Sequence, residues 1–583
     1  MFCYLYLPEH DTAMRPGPLA FFFCILLSLS FRQDTPYPQG HFLLPVDGQP
    51  RLSGTFGELR PGHFHSGLDI KGYLGQPLMA TAAGYISRIE VNSGGYGKAL
   101  FLNHDNGFTS VYAHLGHFSP EVESYVKSYQ YARESFEIAL EPESSRFPVE
   151  AGTVVGYVGL TGYSFGPHLH FELRESGGGP AANPLLFGLP VSDHRPPAIQ
   201  ALRLYTLDSD GTALRTAPKA VRGNRGRYRL VGSDTLYTDS PLTGFSLKAF
   251  DQLDGADNMD GIFALQLFIG DSLAYELRMA SIGQKAAAYY NAHIDYAAQM
   301  QGEGLFHRCY RMPGDASPLY HGGNGAVALP PGGVARLSFL ARDLAGNTAR
   351  LDCWLKRRPQ AQRGQQPLYY NYFLPFNEAS IIQAGDMYAY FPDSSFYEDL
   401  FFDYQASLDA SHGVYSLVHH LHDGRTPVHG YYLLAIRPTQ PIPDEARAKT
   451  FIAYCNENNE IVNCGGAWRD GMLHARLHEL GDYCIMADVV PPRIEALSFQ
   501  EDMRLQAAVQ FRATDNVSAG AGLEKLKYRG TIDGRWVLFS YDEKEGVLEH
   551  LFEKELAPGR HSLRLEVADA VGNLATFEGD FYR

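Results

Sequence analysis

Apolar and polar residues alternate in short runs from about residue 40 to 187, and Gly-rich turns break the runs. Tyr85-Ile-Ser-Arg-Ile-Glu-Val91 has this period of two, as does Ala99-Leu-Phe-Leu-Asn-His104. The second run meets Phe108-Thr-Ser-Val-Tyr-Ala-His-Leu115 across Asp105-Asn106-Gly107, which predicts a β-hairpin. The period then changes. From Pro120 to about Leu140 the residues Val122, Tyr125, Val126, Tyr129, Phe136 and Leu140 fall at near-helical spacing, which predicts one or two helices. Strands resume at Thr153-Val-Val-Gly-Tyr-Val158.

Beyond residue 190 two segments share bookends. One runs from Pro196-Pro-Ala-Ile199 to Asp343-Leu-Ala-Gly-Asn347, the other from Pro491-Pro-Arg-Ile494 to Asp569-Ala-Val-Gly-Asn573. This is a weak internal repeat. In each, an alternating run (Ala335 to Ala341; Ser562 to Ala568) enters a Gly-Asn turn, as expected of β-sandwiches of immunoglobulin-like type. The reading divides the later chain into a β-sandwich at 191–358, a β-rich unit at 368–488 and an immunoglobulin-like sandwich at 489–583, with Arg357 to Pro367 as a polar linker. The fold class is mainly β, built chiefly of antiparallel sheets.

Length and composition agree with several domains. A chain of 583 residues is too long for one core, and 59 Gly, 35 Pro, 36 Tyr and 35 Phe suit a turn-rich, aromatic β-protein. A net charge of -16 with no long basic run argues against nucleic acid as the main ligand. Near the start, Arg15 precedes the apolar run Leu19 to Phe31, which is short for a membrane span and right for a signal-peptide core. Residues 1–31 are therefore read as a signal peptide, with Met14 as an alternative start, Ser28 and Ser30 near the cleavage point, and no membrane span in the mature chain. That chain keeps Cys309, Cys353, Cys455, Cys464 and Cys484; Cys455 and Cys464 flank a hairpin tip and suit either a disulfide or free thiols.

Three pieces of the first 190 residues carry chemistry. His65-Ser-Gly-Leu-Asp69 sets an imidazole and a carboxylate four residues apart, Tyr112-Ala-His114-Leu115 places a His on a predicted strand, and Gly166-Pro-His168-Leu-His170-Phe-Glu172 adds an alternating pair. On a strand, His168 and His170 point to one face while Leu169, Phe171 and Leu173 pack behind. An isolated His-x-His is more often a surface pair than a metal site. Three such pieces, in order within one β-rich segment, are a different matter, and a His/His/Asp set with one position open is what a catalytic zinc needs. His63, His104 and His117 read as ordinary surface or turn histidines, and Glu172 as either a partner of the site or a rim charge. His419, His420 and His422, beside Asp423-Gly424, suit an exposed turn better than a metal site.

At these residues the segment from about 50 to 187 resembles the lysostaphin and LytM family of zinc endopeptidases, which cleave peptides of bacterial peptidoglycan. Gly84, Gly94-Gly-Tyr-Gly97, Gly152 to Gly159 and Asn183-Pro184 also fit. The resemblance implies that 32–190 is a zinc metallopeptidase domain, and the helical insertion at about 118–150 is its main departure from the family pattern. It implies Zn2+ ligands His65, Asp69 and His170, and it makes His114 and His168 the catalytic groups that polarise the attacking water or stabilise the oxyanion. The implied substrates are peptidoglycan peptides and the implied location is exported, in the periplasm or cell envelope. Two other functions stay open: a catalytically idle wall-binding or hydrolase-activator protein, and an exported protease acting on proteins. Residues from about 191 are expected to be separable from the chemistry, leaving an envelope protein as a candidate partner of the C-terminal β domains.

Overall fold

The computed structural model describes residues 37–207, 213–359, 369–409, 413–455, 460–523, 525–552 and 556–583. Residues 1–31, read above as a signal peptide, most of the polar linker and residues 456–459 of the tip between Cys455 and Cys464 lie outside the described residues. Strands hold 46% of the chain and helices 7%, so the protein is mainly β.

The first region is an antiparallel sheet. Its strands, in chain order, are β1 (Leu52–Gly54), β2 (Leu68–Lys71), β3 (Gly84–Val91), β4 (Lys98–Asn103), β5 (Phe108–Ala113), β6 (Ile138–Leu140) and β7 (His168–Glu175). They lie side by side in the order β1-β2-β7-β5-β4-β3-β6. The alternation noted above becomes two faces: Leu169, Phe171 and Leu173 of β7 are fully buried with Leu100, Leu102, Val111 and Tyr112. Asn103 pairs with Thr109 at the end of β4 and β5, which closes the expected hairpin at Gly107. A three-stranded sheet of Pro77–Met79, Val154–Val158 and Leu115–Phe118 completes the region.

The insertion holds one helix, α1 (Pro120–Arg133), and not a second. Val122 and Val126 are its buried face, and it ends at Glu134, which turns left-handed at φ 48°. Leu140, expected at helical spacing, sits instead on β6, where it pairs with Ile89. His114 also departs from the expected strand. β5 stops at Ala113, and His114 adopts φ 62° before the chain resumes as Leu115–Phe118.

Between Ala198 and Arg357 thirteen strands form one hydrogen-bonded sheet, ten of them in a continuous path, around Phe245, Leu265, Leu337, Phe339 and Leu351. Residues 371–488 carry a five-stranded sheet and five strands of a second sheet, whose sixth strand is Ser518–Ala519, over Ile382, Leu434 and Ile452. Two four-stranded sheets enclose Phe511, Leu548, Leu565 and Phe581 near the C-terminus. His419 is fully buried on the strand Val418–Leu421, so that cluster is not the exposed turn its neighbours suggested. All five described cysteines are free thiols.

The first region packs against the later ones. Phe56, Phe64 and Ala181 belong to the same core as Phe245 and Phe339. Ala181 pairs with Ile282 across a strand junction, and the Asn183 N–H donates to the Ala280 carbonyl at 2.9 Å. The C-terminal region also reaches back: Lys544 Nζ donates to the Ser164 carbonyl at 2.5 Å, and the Tyr163 hydroxyl donates to Glu543 at 2.9 Å.

Candidate metal centre

β2 and β7 are neighbours, and their register sets Asp69 opposite His170. His65 enters from the segment before β2, four residues from Asp69. The three donor atoms form a small triangle: His65 Nε2 to Asp69 Oδ1 is 3.1 Å, His170 Nδ1 to Asp69 Oδ1 is 2.9 Å, and the two nitrogens are 2.9 Å apart. All three residues are buried.

The hydrogen bonds behind the triangle fix both tautomers. His65 Nδ1 lies 2.8 Å from the Thr55 carbonyl, which can only accept, so the proton is on Nδ1. His170 Nε2 lies 2.8 Å from Glu172 Oε1 and donates to that carboxylate. Burial alone would raise the Glu172 carboxyl, but His170 and Arg174 outweigh it and hold Glu172 ionised. In neutral rings, His65 Nε2 and His170 Nδ1 therefore carry lone pairs. With both rings neutral, two nitrogens and a carboxylate oxygen face one another, an arrangement that either a metal ion or an added proton on His170 stabilises.

The dimensions suit a metal ion. Donors about 2.0–2.1 Å from a tetrahedral zinc stand about 3.3 Å apart, close to the observed edges. The electrostatics point the same way. Burial would lower the pKa of His170, yet hydrogen bonds to Asp69 and Glu172 push it up to about 9. His65, by contrast, is driven down to about 4 by burial against the pull of Asp69. Asp69 lies well below the carboxylate range, because the two imidazoles outweigh its burial. The Asp69 carboxylate is aimed by Arg60, whose Nη2 donates to Oδ2 at 2.5 Å and leaves Oδ1 to the centre.

Two further imidazoles border the triangle. His168 donates from Nδ1 to the Gly166 carbonyl at 2.8 Å and brings Nε2 to 3.5 Å from Asp69 Oδ1. His114 Nδ1 is 2.9 Å from the Thr161 carbonyl, so its Nε2 carries the lone pair. Their ring centroids are 4.9 Å apart, and the His114 ring is 5.9 Å from His170. Burial, with His170 and His168 nearby, lowers His114 to about 3, so it is neutral at any working pH. A non-glycine residue at positive φ costs about 1–3 kcal/mol, and the His114 N–H to Tyr96 carbonyl bond of 2.9 Å helps hold it there.

The five residues singled out by motif are thus brought together. Sequence reasoning missed the frame around them. Glu172 is fully buried and accepts from Ser66, Tyr96, His170 and Arg174; its place two residues after His170 on an alternating strand was the available signal. Arg60 and Thr55 had none, since neither stands at a motif spacing. His63 and His117 are exposed as expected, whereas His104 is buried between the Ala83 carbonyl and Ser110 Oγ.

Two imidazoles and a carboxylate, gathered where two antiparallel strands adjoin, make a donor set for a metal ion within a β-domain. Residues 63–132 match Peptidase family M23, and the first region is similar to metallopeptidase domains of the lysostaphin and LytM type. Residues 371–488 match the Zu5-like domain. Over 148 residues the chain is 33% identical to the DD-carboxypeptidase/endopeptidase Mpg of Neisseria meningitidis serogroup B, covering 24% of this chain and 28% of that protein. It is 29% identical over 154 residues to the murein hydrolase activator NlpD of Salmonella dublin, covering 26% of this chain and 33% of that one. Among solved structures it is similar to the catalytic domain of the prophage-encoded M23 protein EnpA from Enterococcus faecalis, with 26% identity, 26% of this chain and 99% of that chain covered, and a TM-score of 0.20. The matched part spans about a quarter to a third of the curated relatives' length.

Proposed function

We propose that the protein is an exported zinc-dependent endopeptidase that hydrolyses peptide cross-links or stem peptides of bacterial peptidoglycan. The observation that carries the reading is the triangle of His65 Nε2, Asp69 Oδ1 and His170 Nδ1, three buried acceptors at 2.9–3.1 Å with both ring protons already committed elsewhere. Zinc held there supplies Lewis acidity toward a water and the scissile carbonyl.

The chain's own residues do the rest. Glu172 holds the His170 ring and its tautomer, while Thr55 does so for His65 and Arg60 for Asp69. His114 and His168 are each anchored through Nδ1 and keep Nε2 for the reaction, where it takes a proton from the attacking water or donates one to the developing oxyanion or leaving amine. His114, neutral through burial, starts as an acceptor. The idle-activator alternative draws support from the likeness to NlpD. An intact set of five positions favours hydrolysis.

The test is to digest purified peptidoglycan with the mature chain and to identify the released fragments by mass spectrometry. New amino termini within stem peptides or bridges are expected. Fragments cut only in glycan strands, or none with zinc bound, would overturn the proposal.

A further inference from the structure

The shared bookends of the two sandwich-like segments hold more than turns. Asp343, which opens Asp343-Leu-Ala-Gly-Asn347, comes together with Asp193 from the segment before Pro196 and Asp251 from the end of the strand Leu242–Phe250, with a carboxylate oxygen of each within 4.8 Å of the others. The second bookend repeats this arrangement: Asp569 meets Asp488, three residues before Pro491, and Asp515, just after the strand Ala508–Thr514. The surrounding bonds recur too. Asn347 donates from its backbone and side chain to Asp343 at 2.8 Å each, and Asn573 does so to Asp569 at 2.8 and 2.7 Å.

Clustered carboxylates alone prove nothing, but Asp251 adds an independent fact. It is 4% exposed, and its Oδ1 is buried without any hydrogen-bond partner. No lysine, arginine or histidine forms an ion pair with Asp193, Asp251 or Asp343 among the described residues. Asp193 and Asp251 also line a cavity of about 210 Å³ with Thr55, Phe56 and Gly261, which leaves room for water beside the cluster. Two buried carboxyls and a half-buried one, with one oxygen unpartnered, are costly to ionise together in a protein interior unless a cation joins them.

We infer that Asp193, Asp251 and Asp343 form a calcium site at the seam between the metallopeptidase domain and the region that follows it. An all-oxygen donor set suits a hard cation, and several carboxylates in an irregular cage suit calcium better than magnesium, which keeps more of its water and demands octahedral geometry. Asp193 is only half-buried, which gives the ion a path in. The site bears on the metal centre through one strand of contacts. The loop that starts at Asp251 returns at Gly261, whose N–H donates to Thr55 Oγ1 at 2.9 Å, and the Thr55 carbonyl holds His65.

The experiment uses the zinc-loaded mature chain, dialysed against about 1 mM calcium, a level suited to extracellular calcium modules. Bound calcium is counted per chain, and Tm is measured with and without the ion. The wild type is expected to retain calcium and to melt at a higher temperature in its presence. Asp251→Asn should retain one equivalent fewer and show a smaller calcium-dependent rise, with zinc content unchanged as the sign of an intact fold. Should that variant not fold, Asp193→Asn, at the half-exposed edge, should lose the same equivalent. No calcium retained by the wild type, or as much retained by a folded variant as by the wild type, would overturn the site; a variant that melts higher than wild type without calcium loss would mean that shared protons stabilise the cluster instead.

Discussion

Glu172 offers the sharpest test of the frame around the metal centre. It accepts the Nε2 proton of His170 at 2.8 Å, and so commits Nδ1 to the donor triangle. Glu172→Gln keeps the shape but can present an N–H to that nitrogen. The expected result is a loss of about 10–100-fold in zinc affinity, read by competition with a chelator, as for other partners of metal-bound histidines. Unchanged affinity would show that Glu172 merely fills space. A second prediction concerns pH. Without metal His170 holds its proton up to about pH 9 instead of 6.5, so its contribution to stability is complete below 6.5 and fades as pH climbs through 9. Zinc must expel that proton. Affinity should therefore rise about tenfold per pH unit between about pH 6.5 and 9 and then level off, with His65, at about 4, contributing no proton in that window. Chelator titrations at a series of pH values check the slope, and a flat profile contradicts the assignment of His170 as the proton's seat.

At the scale of elements, the loop from Thr161 to Pro167 carries the carbonyls that aim His114 and His168, and Gly97 is pressed against it. Gly97 has φ 63°, and a Cβ there would stand 2.4 Å from the Thr161 carbonyl carbon. Gly97→Ala should push that carbonyl away from His114 Nδ1, lowering kcat at least tenfold by misplacing a catalytic imidazole, while zinc content stays full. Loss of zinc in this variant would place the strain at the ligands instead. Much of this element was legible beforehand. Alternation marked β3, β4, β5 and β7, because a two-faced sheet leaves its period in every strand, and a side chain's neighbour at i+2 needs no knowledge of the rest of the fold. His114 was misread as a strand residue because its left-handed turn is imposed by remote partners, Tyr96 and Thr161, which leave no local mark. Leu140 was drawn into a helix by spacing alone; α1 ends at Glu134, well before it, and pairing with Ile89 decides the rest.

At the scale of the molecule, the bookends announced repeated β-regions, but periodicity says nothing of which cores merge. Phe56 and Phe64 are 2% and 4% exposed because the region after residue 190 covers them. A chain truncated near residue 190 would uncover both rings, at about 1.5–3 kcal/mol each, and lose the Ala181 to Ile282 pairing. Such a truncation should melt well below the mature chain or aggregate, as seen by calorimetry. An unchanged Tm would mean that the peptidase region is self-sufficient after all. The C-terminal region meets the loop that leads into His168, through Lys544 and Ser164, so the later regions touch the surroundings of the site.

The central claim is that the triangle holds zinc and the flanking imidazoles act on the reaction, and two variants separate those roles. Zinc content and peptidoglycan hydrolysis are to be measured side by side for the wild type, His170→Ala and His168→Ala. The account predicts one zinc per wild-type chain, little zinc and no hydrolysis in His170→Ala, and full zinc with activity lower by about 10²–10⁴-fold in His168→Ala. Full zinc occupancy in His170→Ala, or undiminished hydrolysis in His168→Ala, would contradict it.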